Sequence, residues 1–216
     1  SVLYDEVKQK AIGVRVIDSK TKKTNDYFAK VIFITAATLN TNLILLNSKS
    51  KRFPNGLGND NGLMGKYIAF HNYRATINAQ CVGFPKNTIE GAKPTSHYVP
   101  RFRNVYRQET DFLRGYASGF GASPYRVTDR EGFGPPLKKQ LLETKETGVW
   151  NVNSHMMGET IPKESNQVTL DKEKVDSWGI PLLNINVEYD ENDEKMIQDF
   201  FEQFTEMFKK AGFVNI

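Results

Sequence analysis

Three stretches of the chain alternate polar and apolar residues with a period of two, and this restricts the fold more than any other feature. In 73–82, Arg74, Thr76, Asn78 and Gln80 fall on one side, and Tyr73, Ala75, Ile77, Ala79 and Cys81 on the other. In 149–157, Asn151, Asn153 and His155 oppose Trp150, Val152 and Met156. In 182–189, Asn184, Asn186 and Glu188 oppose Leu183, Ile185, Val187 and Tyr189. A strand sends successive side chains to opposite faces, so each stretch predicts an antiparallel strand with one face on a core. The polar sides are built largely from amides rather than Lys, Glu or Thr. Asn is depleted in strands, and a solvated face has no need of it. Amides donate and accept hydrogen bonds, which suits a hydroxyl-rich ligand in a sheltered cavity. Two readings stand side by side here: a solvent-exposed face, and a cavity wall formed by Asn151, Asn153, His155 and Asn186.

Residues 191–211 carry the clearest helical pattern, with Met196, Phe200, Phe204, Met207 and Phe208 in one stripe. Lys209 and Lys210 suit its last turn and Gly212 its αL cap. The carboxylates Asp193 and Glu194 sit at its start, where capping explains them. Nearer the N-terminus, AIGVRVID (11–18) reads as a strand followed by a polar turn. YFAKVIFIT (27–35) reads as a second strand, its VIFI core apolar enough for burial on both faces of an α/β sheet. A helix from about Thr38 to Ser48 follows, with Leu39, Leu43 and Leu46 on one side. Strand, small-residue turn and helix form half of a βαβ unit whose partner strands are not in the sequence. The chain also stops at GFVNI, an apolar start to another element. Both features predict a piece of a longer protein.

GLGNDNG (56–62) comes near a dinucleotide fingerprint, but it follows a helix rather than a strand and its spacing is wrong, so it reads as a loop. Residues 85–148 are rich in Gly and Pro and predict long loops with short elements. The net charge of +4, from 29 basic and 25 acidic residues, is too small and too mixed to argue for nucleic acid. The single cysteine, Cys81, excludes an internal disulfide. His71, His97 and His155 have no metal-ligand spacing, and no apolar run is long enough to span a bilayer. The expectation is a soluble chain of the cytoplasm or periplasm with no metal. Residue types alone carry the reading no further than an α+β protein.

Taken in order, several segments resemble the glucose–methanol–choline family of FAD-dependent oxidoreductases. KAIGVRVID matches its A-x-G-V strand, and KVIFITAATLNTNLILLNS (30–48) its apolar strand, small-residue turn and N-T-x-x-L-L-x-x-S type helix. GLMGKYIAFH (62–71) matches its G-x-G-K/R-x-x-x-x-H segment, with Phe70 where the family often has Asp. PRFRN (100–104), DFLRGY (111–116), GETIPKESNQVTLD (158–171) and WGIPLL (178–183) look like a bacterial branch of it.

The resemblance implies residues 1–48 as a remnant of the FAD-binding domain and 49–216 as the substrate-binding domain, an antiparallel sheet backed by helices. It implies FAD in the intact enzyme, with Thr35, Ala36 and Ala37 forming the turn that approaches it. Asn40 and Thr41 either contact the cofactor or cap the helix. The family's diphosphate fingerprint and its catalytic histidine lie outside these residues, so no catalytic residue is assigned. The implied partners are an alcohol or sugar and the remainder of the flavin domain. The alternative is a non-enzymatic carbohydrate-binding or interaction domain.

Overall fold

A computed structural model describes residues 1–83, 97–124, 132–143 and 149–216. The chain is α+β, with every described strand pair antiparallel. It divides into two compact units, residues 1–69 with 162–188, and residues 70–161 with 189–216.

In the first unit, β1 (Val2–Asp5), β2 (Lys10–Ile17) and β3 (Thr24–Phe28) form a three-stranded sheet in that order. The turn between β2 and β3 is held by the Asp18 carboxylate, which accepts from the N–H of Lys20 at 3.0 Å and of Thr21 at 2.6 Å. Gly13 is demanded by close approach: a Cβ there would lie 2.3 Å from the carbonyl oxygen of Tyr27 on β3. Helix α1 (Ala37–Leu46) ends on Ser48, whose buried hydroxyl accepts from the N–H of Val2 at 2.7 Å and donates to the carbonyl of Ile44 at 2.6 Å. A two-stranded sheet, β9 (Gln167–Val175) with β10 (Pro181–Asn186), completes the unit. Its turn is stapled by Asp176, which accepts from the N–H of Trp178 at 2.8 Å and of Ile180 at 2.9 Å. Residues 49–69 contain no helix or strand, and GLGNDNG lies in that loop.

The second unit is one five-stranded sheet with a helix on it. β8 (Val149–Glu159) runs through the middle; it pairs with β7 (Tyr116–Pro124) on one side and with β4 (His71–Asn72) and β5 (Thr76–Val82) on the other. β6 (His97–Val99) pairs with β7. A short helix, α2, spans Pro135–Glu143. Helix α3 (Glu191–Lys210) starts in a capping box in which the Asp190 and Asp193 carboxylates accept from each other's N–H groups. It ends in a Schellman motif: the N–H of Phe213 reaches the carbonyl of Phe208 at 3.0 Å, and that of Gly212, at φ +76°, reaches Lys209 at 3.1 Å. Met196, Phe200, Phe204 and Phe208 are buried in one core with Ala75, Ile77, Ala79, Tyr116, Val152 and Met156. Each large side chain so buried is worth about 1.5–3 kcal/mol of transfer free energy.

Four expectations are corrected. Residues 31–35 are not a strand: β3 ends at Phe28, and Val31 and Phe33 are exposed. A strand buried on both faces needs a neighbour on each side to hydrogen-bond its backbone, and among the described residues none pairs with VIFI. Met207 is 38% exposed and lies off the stripe that Met196, Phe200, Phe204 and Phe208 keep at i, i+4 spacing. Tyr73 does not join the core side, because it precedes β5 and is half exposed. β7, nine residues of YASGFGASP, was not foreseen, since Gly, Ala and Ser carry no strand signal. β1, β4, β6 and β9 were not foreseen either. Residues 84–96, 125–131 and 144–148 of the loop-rich stretch lie outside the described residues.

Candidate functional site

The core face of the five-stranded sheet is taken by α3, which leaves the chemistry on the opposite face. Register sets what meets there. Across β5, β8 and β7, Thr76, His155 and Gly119 share one row, Asn78, Asn153 and Gly121 the next, and Gln80, Asn151 and Ser123 the third. Asn78, Asn151 and Asn153 are exposed, and His155 and Gln80 are half-buried. The side-chain Oε1 of Gln80 accepts from the side-chain amide of Asn215 at 2.7 Å, so a further amide sits at the edge of the face. Three rings gather beside the first row. His71 and Tyr73 have centroids 5.4 Å apart, and Tyr73 and His155 are 6.0 Å apart. His97 lies elsewhere, opposite Phe120 in the register and 6.3 Å from its ring.

The imidazole of His155 depends on its neighbour for its position. A Cβ at Gly119 would stand 2.3 Å from Cε1 and 2.5 Å from Nε2 of His155, so the ring lies over bare backbone. Gly119→Ala is therefore expected to turn the imidazole away from Tyr73 at a cost of about 1 kcal/mol. The readout is the NMR contact between the His155 and Tyr73 rings, lost in the variant. A contact that survives the substitution contradicts the placement.

Asn151, Asn153 and His155 thus occupy one face of one sheet. Asn186 is on β10, in a separate sheet of the other unit, and its amide donates to the carbonyl of Ser165 at 2.9 Å. In β10 the alternation does not bury its apolar side, since Ile185 is half exposed.

No family profile matches the chain. A curated relative does. The chain is 30% identical, over 219 aligned residues, to a 2-methyl-1,2-propanediol dehydrogenase of Mycolicibacterium austroafricanum. The alignment takes in 95% of this chain and 38% of that protein, so the chain spans well under half of its relative's length. The chain is in this way a distant relative of an alcohol oxidoreductase.

The turn before α1 lies in the first unit. Thr35 and Ala36 line a groove of about 840 Å3 together with Val14, Phe33, Ile44 and Trp178. Ala36 is the N-cap of α1 and has no side-chain oxygen to cap it with, so the first turn has no side-chain cap. Ala37 follows at φ +58°, in the left-handed region. Asn40 and Thr41 stand inside the helix rather than at its start, which removes the capping role considered for them. Asn40 is exposed and Thr41 half-buried.

Among the described residues, no three of His, Cys, Asp or Glu gather into a metal-binding group. No described helix is long and apolar enough to cross a membrane.

Proposed function

We propose that this chain supplies the substrate-facing wall, and part of the cofactor-facing turn, of a flavin-dependent oxidoreductase acting on the CH–OH group of an alcohol or sugar. The observation that carries the proposal is the likeness, along almost the whole chain, to a dehydrogenase named for a small diol. The amide face would serve a carbohydrate-binding module equally well. What favours the enzyme is that the likeness takes in 95% of the chain and so is not confined to the amide face.

The first unit has features that suit FAD. The groove beside Thr35 and Ala36 has about 840 Å3, within the range of about 300–1,000 Å3 typical of small-molecule sites. Small side chains at Ala36 and Ala37 leave the backbone open to close approach. An uncapped first turn of α1 leaves N–H groups available to an anionic oxygen. FAD, held beside the turn at Thr35, Ala36 and Ala37, would supply the hydride acceptor for oxidation of the substrate's CH–OH group to a carbonyl. This chain's part is to hold the substrate: Asn151 and Asn153 hydrogen-bond its hydroxyls, and the imidazole of His155, fixed over Gly119, limits how the carbon can lie. Such positioning governs rate strongly, because a displacement of about 1 Å can cost about 100-fold.

The test is Asn153→Ala in the enzyme that contains this chain, with flavin content and Tm measured alongside. Loss of one hydrogen bond to a bound hydroxyl should lower kcat/KM about 5- to 10-fold with flavin content unchanged. An unchanged kcat/KM on the best alcohol or sugar contradicts the role of this face.

A further inference from the structure

We propose that Asn61 is a site of spontaneous covalent modification, at which the backbone nitrogen of Gly62 closes on the Asn61 side chain and the residue ends as isoaspartate. The claim concerns the loop that carries GLGNDNG and stands apart from the flavin reading.

The tripeptide Asn-Gly-Leu occurs twice in this loop, at 55–57 and at 61–63. An asparagine followed by glycine is open to ring closure, because the second residue has no side chain to hinder its nitrogen and can take backbone angles that others avoid. The local sequence ranks the two asparagines alike, and both are exposed. The fold separates them.

At Asn55 the nucleophile is held. Gly56 is buried, its N–H donates to the carbonyl of Phe53 at 3.2 Å, and a Cβ there would lie 2.9 Å from Cα of Leu46 on α1. Moving that nitrogen onto Cγ of Asn55 breaks the hydrogen bond and lifts the loop off the helix. At Asn61 neither restraint applies. Gly62 is exposed at φ +68°, a Cβ built on it would meet nothing within 4 Å beyond its chain neighbours, and its N–H reaches the carbonyl of Asn59 only at 3.4 Å. The electrophile is prepared as well, since Oδ1 of Asn61 accepts from the N–H of Leu63 at 3.1 Å. That donor faces the oxygen on which negative charge gathers as the new bond forms. Among the described residues no N–H donates to the side chain of Asn55, whose main-chain carbonyl accepts from Nδ2 of Asn59 at 3.0 Å.

The step needs only water and hydroxide. Hydroxide removes the Gly62 N–H proton, and the nitrogen lone pair forms a bond to Cγ of Asn61. The Cγ–Nδ2 bond breaks, and ammonia leaves with a proton taken from water, which restores the hydroxide. A five-membered cyclic imide remains. Water opens it at Cγ to give aspartate, or at the main-chain carbonyl to give isoaspartate, in which the chain runs through the former side chain and is one methylene longer. Either product sets a new carboxylate next to Asp60, which already pairs with Arg52.

The experiment ages the chain in water labelled with heavy oxygen, at neutral and at mildly alkaline pH, once folded and once in guanidinium chloride. Peptides are then read by mass spectrometry with electron-transfer fragmentation, which tells isoaspartate from aspartate. In the folded chain Asn61 is expected to convert about 5- to 10-fold faster than Asn55, the worth of about one backbone hydrogen bond. Both rates should rise with pH. In denaturant they should converge, because the two tripeptides are the same. Asn61→Gln, which could close only a larger ring, should remove the product at that position and leave the rate at Asn55 as it was. Equal rates at the two sites in the folded chain, a faster Asn55, or a preference for Asn61 that persists undiminished in denaturant overturns the assignment. The readout involves no flavin and no substrate, so its outcome is independent of the proposed function.

Discussion

Phe204→Ala is expected to lower the unfolding free energy by about 3–5 kcal/mol. Phe204 is 1% exposed and sits mid-stripe on α3, its ring 4.5 Å from Phe200 and 6.4 Å from Phe208. Both neighbours are held by other contacts, Phe200 by Tyr116 and Phe208 by Phe213 and Phe120. The space left by the lost ring therefore stays largely open, and the cavity cost adds to the lost transfer energy. Met207, one helical step off the stripe and partly exposed, supplies the control: Met207→Ala should cost under about 1 kcal/mol. Chemical denaturation of the two variants distinguishes them. Equal losses contradict the observed helix rotation.

Asp199→Ala carries the second large effect, about 3–4 kcal/mol. Its carboxylate accepts from Nε of Arg103 at 2.9 Å and from the Tyr116 hydroxyl at 2.6 Å. The Arg103 and Asp199 side chains retain only 25% and 12% of their exposure. Removing the carboxylate leaves a guanidinium and a buried hydroxyl without their acceptor. The same network sets an alkaline limit. Burial, and then the hydrogen bond to Asp199, push the Tyr116 hydroxyl well above the usual tyrosine range. The unfolded chain releases that proton near pH 10, while the fold retains it. Stability from this group is therefore whole below about pH 10 and falls as pH rises beyond it, by up to about 1.4 kcal/mol per unit. Tyr116→Phe should cost about 1–2 kcal/mol at neutral pH and flatten the alkaline decline. Denaturation series between pH 7 and 11 measure both. A decline as steep in the variant as in the parent assigns it to other groups.

How far the sequence could be read varied with the physics of each part. The stripe on α3 was legible because its signal is local: a 3.6-residue period, an acidic start and a glycine stop all fall within one segment. The faces of β5 and β8 were legible for the same reason, at period two. β7 was not, because a strand of Gly, Ala and Ser is chosen by what lies over it, and only the register shows that His155 needs Gly119 beside it. The row of His71, Tyr73 and His155 was invisible for a similar reason. It joins residues more than eighty positions apart, and Tyr73 reaches it by leaving the alternation of its own strand. That Asn186 stands on a different sheet from Asn151 and Asn153 was not legible, because equal alternation does not say which strands pair. The VIFI segment has the composition of a central strand, and composition does not supply neighbours to pair with. At the turn before α1, the small residues Thr35, Ala36 and Ala37 were readable as a place of close approach. That Asn40 and Thr41 lie inside the helix required the helix start to be seen.

The most direct test of the central proposal is anaerobic rapid mixing of the natural full-length protein, with any flavin it carries, with a pyranose and with simple alcohols. The bleaching of oxidised-flavin absorbance is followed, and the measurement is repeated with substrate deuterated at the reacting carbon. The account predicts stoichiometric flavin reduction that slows severalfold on deuteration, because the C–H bond breaks as the hydride leaves, and that slows further in Asn153→Ala. A full-length protein that carries no flavin, or a bound flavin that no CH–OH compound reduces, contradicts it.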